Sequence, residues 1–195
     1  HSTSRRQRQM CIRDRLLTTV GVNTIAVLCT GLTLEEIKLK LTGSSLGKAR
    51  FEGCTFLANG KAASACTPYP EKEEGEGGIG RILTRLLKGL IVLHSPAPGT
   101  FTTLNRIEPE EGNIIVSFHL GLEEECAYGA LANVTGKLFL EDGEGEFKQE
   151  KERHLFLQGP LTALTFLNNP ANIDGSVITL LSGAHAGMKW SGLPA

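Results

Sequence analysis

Apolar and polar residues alternate with period two along much of this chain, and no other feature restricts its fold so strongly. Ile37-Lys38-Leu39-Lys40-Leu41-Thr42 places apolar residues on odd positions and polar ones on even positions. Ile114, Val116, Phe118 and Leu120 repeat the pattern, with Ser117 and His119 on the other face. Such alternation buries one face of a strand, whereas a helix needs apolar residues three and four apart. Comparable runs predict strands over 23–28, 49–56, 61–67, 87–94, 101–107, 135–140, 146–151, 154–158, 161–166 and 177–182. Turn sequences stand between them: Thr42-Gly43-Ser44, Asn59-Gly60, Pro96-Ala97-Pro98-Gly99, Glu110-Glu111-Gly112-Asn113, Asp142-Gly143-Glu144-Gly145 and Asp174-Gly175. Short strands punctuated in this way predict an all-β domain, either an antiparallel β-sandwich or a flattened β-barrel.

Two segments admit a helix. Thr33 can cap a short one opening at Leu34-Glu35-Glu36-Ile37, in competition with the alternation that follows. Ile82, Leu83, Leu86, Leu87 and Leu90 fit a helical face and a buried strand equally, and Gly80 and Gly89 tip the reading to strand. Residues 71–78 are acidic and Gly-rich, which predicts a loop.

Arg5-Arg6-Gln7-Arg8-Gln9-Met10-Cys11-Ile12-Arg13-Asp14 resembles a sequencing-library transposon adapter translated in one frame. Residues 1–15 are therefore set apart as foreign to the fold, the domain is expected over 16–195, and a signal peptide is expected to have been lost upstream. The whole chain has a formal charge of −1, and without the five Arg and one Asp of residues 1–15 the balance is −5. That balance speaks against nucleic acid as a partner, since phosphate binding needs a basic surface, and equally against an anionic membrane surface. No run approaches the roughly 18–20 apolar residues of a membrane-spanning helix, so no transmembrane segment is expected.

With Cys11 set apart, Cys29, Cys54, Cys66 and Cys126 remain, and four cysteines allow three pairings. Cys54 and Cys66 lie symmetrically about Asn59-Gly60-Lys61, a hairpin sequence, so the expected bridge is Cys54–Cys66. Cys29 is then left to Cys126. Disulfides point to an exported protein, against the alternative of four buried free thiols in a reducing compartment. Zinc is poorly served, because no C-x₂-C pair occurs and no His lies near a Cys in sequence.

Several motifs suggest chemistry and also have plainer readings. Gly43-Ser44-Ser45-Leu46-Gly47 matches G-x-S-x-G and nominates Ser45 as a hydrolase nucleophile, with His154 or His185 as its base. That chemistry requires a sharp strand-to-helix turn, whereas a Gly-Ser hairpin turn accounts for the same residues. Gly43…Gly47-Lys48 is one residue short of a phosphate loop and lacks the Ser or Thr after Lys. Glu141, Asp142, Glu144 and Glu146 cluster in the manner of calcium ligands in an adhesion module, but without EF-hand spacing, and a solvated turn explains them as well. His185, among small residues, and the nearby Trp190 are the ligand-binding candidates, against a packed C-terminal strand. No catalytic residue, metal or cofactor is expected.

A series of short motifs then follows one order: Leu28-Cys29-Thr30, Phe51-Glu52-Gly53-Cys54, Asn59-Gly60, Cys66-Thr67-Pro68 and Lys88-Gly89-Leu90-Ile91-Val92-Leu93-His94. Glu125-Cys126-Ala127, Gly136-Lys137-Leu138, Gly159-Pro160-Leu161-Thr162, Asn169-Pro170-Ala171, Ile173-Asp174-Gly175-Ser176 and Lys189-Trp190-Ser191-Gly192 continue it. In that order they resemble a group of exported β-rich proteins present in many copies in soil actinobacteria. The resemblance covers nearly all of 16–195. It implies a signal peptide, a β-rich fold and an extracellular or cell-envelope location in a bacterium, and it carries over no activity, ligand or catalytic residue. Some members have a further Cys beside the position of Asp142-Gly143, and its absence here leaves the partner of Cys126 open. The function expected is that of a non-enzymatic exported domain binding an extracellular ligand or envelope component, with a secreted serine hydrolase using Ser45, or a calcium-stabilised adhesion module, as alternatives.

Overall fold

The computed structural model describes residues 5–9, 14–39, 44–70, 78–100, 102–121, 126–142 and 151–180. Its strands form one continuous antiparallel sheet of 17 strands that curls into a half-barrel with two faces. One face runs through β1 (Arg5–Gln9), β4 (Gly31–Leu39), β5 (Ser44–Glu52), β10 (Leu87–His94), β11 (Thr102–Pro109), the second half of β13 (Leu131–Asp142), β14 (Lys151–Phe156) and β17 (Ser176–Leu180). The other runs through β8 (Pro68–Pro70), β12 (Ile114–Leu120), the first half of β13, β15 (Ala163–Phe166), β16 (Asn169–Asp174), β2 (Asp14–Val20), β3 (Asn23–Cys29), β6 (Thr55–Ala58) and β7 (Lys61–Ala62). The two-residue strand β9 (Ile82–Leu83) pairs with β5. This is the all-β architecture that the alternation predicts.

The chain changes face at corners. β13 bends at Gly136, whose φ is 110° and where a Cβ would overlap the Ala163 carbonyl of β15. Only glycine meets both demands. Other crossings pass from β3 to β4 through Thr30, from β5 to β6 through Gly53-Cys54, and from β16 to β17 through Gly175. Between the faces lies a core in which Phe56, Phe118 and Phe166 are fully enclosed, the last two with ring centroids 5.9 Å apart. Burying each such ring stabilises the fold by roughly 1.5–3 kcal/mol.

The disulfides correct the expected pairing. Cys29 bonds Cys54, and Cys66 bonds Cys126. Asn59 and Gly60 do make a two-residue hairpin turn, both with positive φ, but its register is Ala58 opposite Lys61 and Leu57 opposite Ala62. Continued, that register sets Cys54 opposite Ala65, one residue short of Cys66, and a one-residue offset reverses the face of a strand. The ladder also stops at Ala62, and residues 64–66 turn into a 3₁₀ helix. Cys54 instead lies one step beyond the Leu28–Thr55 pair of the β3–β6 ladder, which sets it against Cys29. The Cys29–Cys54 bridge thus ties together two corners where the chain changes face.

Other departures have local causes. The helix considered at 34–37 is part of β4, where Glu36 has φ 53° and the pairing with β5 shifts register between Glu35 and Lys38. This bulge joins two alternations of opposite phase, Leu32 and Leu34 before it and Ile37 after it. The strand expected over 49–56 breaks at Gly53, and the one expected over 61–67 shrinks to β7. Strands β8 and β16 carry Pro68, Pro70 and Pro170, which give them the look of turns. The ladder of β2 begins at Asp14 rather than at Leu16, and β1 pairs with β4 inside the segment set apart as foreign. Edge pairing uses backbone groups only, so an extended segment can add to a sheet edge whatever side chains it brings.

Candidate functional site

The inward faces of the two walls do not meet everywhere, and a cavity of about 300 Å³ lies between them. Alternation decides what lines it. On β5 the inward residues are Ser45, Gly47, Ala49 and Phe51, and on β10 they are Leu87, Gly89 and Ile91. The same wall continues through Thr103, Asn105 and Ile107 of β11, Leu138 and Leu140 of β13, and His154 and Phe156 of β14. Val27, Phe118, Val134, Leu164 and Ile173 close it from the other face. The bulge in β4 matters here, because an unbroken alternation from Leu34 would turn Glu36 and Lys38 inward. With the bulge, Ile37 lines the cavity instead.

The small residues of β5 and β10 are in close contact with neighbours. A Cβ at Gly47 would overlap Cδ1 of Ile37, and a Cβ at Gly89 would overlap Oγ of Ser45 while lying 3.3 Å from Oδ1 of Asn105. Ser45 and Asn105 therefore converge above the bare backbone of Gly89. Thr103, 7% exposed, precedes Asn105 by two residues on the same face. None of these three side chains makes a hydrogen bond among the described residues. Charge is concentrated on the outside of the same strands, where Arg50 pairs with Glu35 at 2.6 Å and Glu108 with Lys88 at 3.2 Å and Arg106 at 3.3 Å. Two ionisable groups, Asp14 and His154, are buried at the cavity, 3% and 4% exposed, and each has an interaction partner.

The expected site residues do not converge. Ser45 is not on an elbow: β5 runs through it in register with Leu39 and Gly89, and no α-helix follows among the described residues. His154 shares the cavity wall with Ser45, but β10, β11 and β13 intervene, about 19 Å along the curled sheet at the usual strand spacing. The two do not form a hydrogen-bonded dyad. Glu141 is half-buried on β13 opposite Leu104 and Leu155, and Asp142 ends that strand. Glu144, Glu146, His185 and Trp190 lie outside the described residues, and no group of three or more metal-ligating side chains occurs within them. His119, on the polar face as expected, stacks on Tyr69 with centroids 5.1 Å apart.

Sequence reasoning did not find Thr103, Asn105, Ala49 or Gly89. A signal existed for the β5 position alone. Ser45, Gly47 and Ala49 are the alternate residues of one run, and three successive small residues on the buried face of a strand leave volume unfilled. Among the described residues no helix is long and apolar enough to cross a membrane. Comparison with known proteins finds no match among family models, curated proteins or solved structures.

Proposed function

We propose that this chain is an exported, non-enzymatic β domain that holds a small, mainly apolar ligand between its two walls. The cavity is the observation that carries the reading. The lining is mainly apolar, and a guest that covers it removes that surface from water, a gain of about 25 cal/mol per Å². Occupied by a ligand, the same surface becomes favourable apolar contact. Pockets of this kind combine an apolar lining with a few polar groups that orient the guest, and Ser45, Thr103 and Asn105 are such groups. Two disulfides suit an oxidising compartment and hence export.

The test is calorimetric titration of the oxidised protein with naphthalene. Saturable binding of one molecule per chain is expected, lost in Ala49→Trp, which fills the space from β5. A wild-type protein that takes up no naphthalene would refute the reading.

A further inference from the structure

Resting on the proposal of a ligand cavity, we infer that its guest is a neutral molecule with one hydroxyl or carbonyl oxygen on a compact apolar body, an alcohol or ketone rather than a fatty acid. Size comes first. An apolar cavity of about 150 Å³ takes up benzene, and in proportion 300 Å³ accommodates roughly twelve non-hydrogen atoms.

The position of the polar groups supplies the chemistry. Ser45 and Asn105 converge over Gly89, and Thr103 stands beside them on the same inward face. The amide of Asn105 offers both donors and an acceptor, and each hydroxyl offers one donor with acceptor lone pairs. Together they satisfy an alcohol, which donates and accepts, or a ketone, which only accepts. Their lack of hydrogen bonds among the described residues leaves this capacity for a guest. Gly89 has no side chain, and the hydroxyl of Ser45 takes the space that one would fill, beside the amide of Asn105.

Charge excludes the anion. A buried carboxylate needs a cationic partner, since desolvating an unpaired charge is far costlier than desolvating a hydroxyl. Among the basic residues at the cavity, Arg15 is drawn to Asp174 at 3.6 Å, and Lys48 already has a partner. His154 is likewise engaged.

Three naphthalene derivatives separate the elements of this inference at pH 7.5: naphthalene, neutral 2-naphthol and anionic 2-naphthoate. The oxidised full chain is expected to bind 2-naphthol about fivefold more tightly than naphthalene, the worth of one net hydrogen bond, and at least about tenfold more tightly than 2-naphthoate. Asn105→Leu and, separately, Ser45→Ala should each remove most of the preference for 2-naphthol over naphthalene, with circular dichroism checking the fold of each variant. Equal affinity for 2-naphthol and 2-naphthoate overturns the inference while the cavity reading stands. Retention of the naphthol preference by both variants overturns it in the same way. Loss of all three ligands, naphthalene included, overturns the cavity reading and this inference with it.

Discussion

Two buried alanines make a sensitive test of whether the void is real. Ala49 lines the cavity from β5 and is 6% exposed, while Ala132, on β13 opposite Phe118, has no exposure and sits in the closed core. Leucine adds three carbons at either site. In the cavity those carbons leave water for existing apolar surface, a gain of about 0.8 kcal/mol each, reduced by about 0.5–1 kcal/mol of lost rotamer freedom. Ala49→Leu should therefore stabilise by about 1–2 kcal/mol. At Ala132 the carbons must displace neighbours, and overpacking costs about 1–3 kcal/mol. For a domain of this length 1 kcal/mol moves the melting temperature by about 2–4 °C. Scanning calorimetry of oxidised protein should then show Ala49→Leu melting about 2–8 °C higher than wild type and Ala132→Leu about 2–12 °C lower. The backbone of Ala49 is held to Thr84 by two bonds, its N–H donating to Thr84 Oγ1 at 2.8 Å and its carbonyl accepting from the Thr84 N–H at 2.9 Å, which limits backbone relaxation there. Equal destabilisation by the two substitutions would mean that the walls already touch at Ala49, and the case for a ligand would collapse.

Other parts of the structure can be tested as directly. Peptide mapping without reductant should recover Cys29 joined to Cys54 and Cys66 joined to Cys126, and a Cys54–Cys66 peptide would contradict the register argument. Loop closure over sequence separations of 25 and 60 residues predicts losses of about 3.5 and about 4 kcal/mol when each bridge is replaced by a serine pair, so the second replacement should lower the urea midpoint more. Gly136→Ala should cost about 3 kcal/mol or more, because positive φ and overlap with Ala163 act together, while Gly60→Ala, at φ 77° in open space, should cost about 1 kcal/mol. Similar losses at both sites would remove the corner argument. A chain beginning at Asp14 loses only β1 from the described strands, and its melting temperature should stay within about 3 °C of the full chain.

Much of the fold is legible because a half-buried strand has an unmistakable period. β3, β10 and β12 are readable almost to the residue, at Asn23–Cys29, Leu87–His94 and Ile114–Leu120. What the sequence conceals are changes of phase and direction. Leu34-Glu35-Glu36-Ile37 admits a helix only because the bulge at Glu36 is invisible in a string of residues. Leu167 and Asn168 make a turn with φ of 52° and 60° but carry little turn signature, since Leu seldom takes that conformation. The disulfides mislead for the same kind of reason. Counting residues puts the symmetry at Gly60, whereas a two-residue turn places its axis between Asn59 and Gly60 and moves Cys66 to the opposite face. Of the cavity, sequence reasoning reaches only Ser45 and His154, and for a role in which they do not meet.

The run from Gly43 to Gly47 shows how one set of residues can be read at two levels. As a string it suggests a nucleophile turn or a hairpin loop, because glycine and serine are common in both. As part of β5, residues 44–47 supply the inward positions Ser45 and Gly47, and Ala49 extends them. Two facing walls of a β domain normally fill the roughly 10 Å between them with interdigitating side chains. Here one strand supplies little volume at three successive inward positions, Ser45, Gly47 and Ala49, and the space of its glycine is used by Ile37 from β4. Ile37 faces inward only because of the bulge, so Gly47 and the positive φ of Glu36 act together: one makes room in the wall and the other turns an apolar side chain, instead of Glu36 or Lys38, to occupy it. A loop would need neither. Keeping both charges out of the wall and the volume of β5 low is what an apolar cavity with a confined polar corner requires.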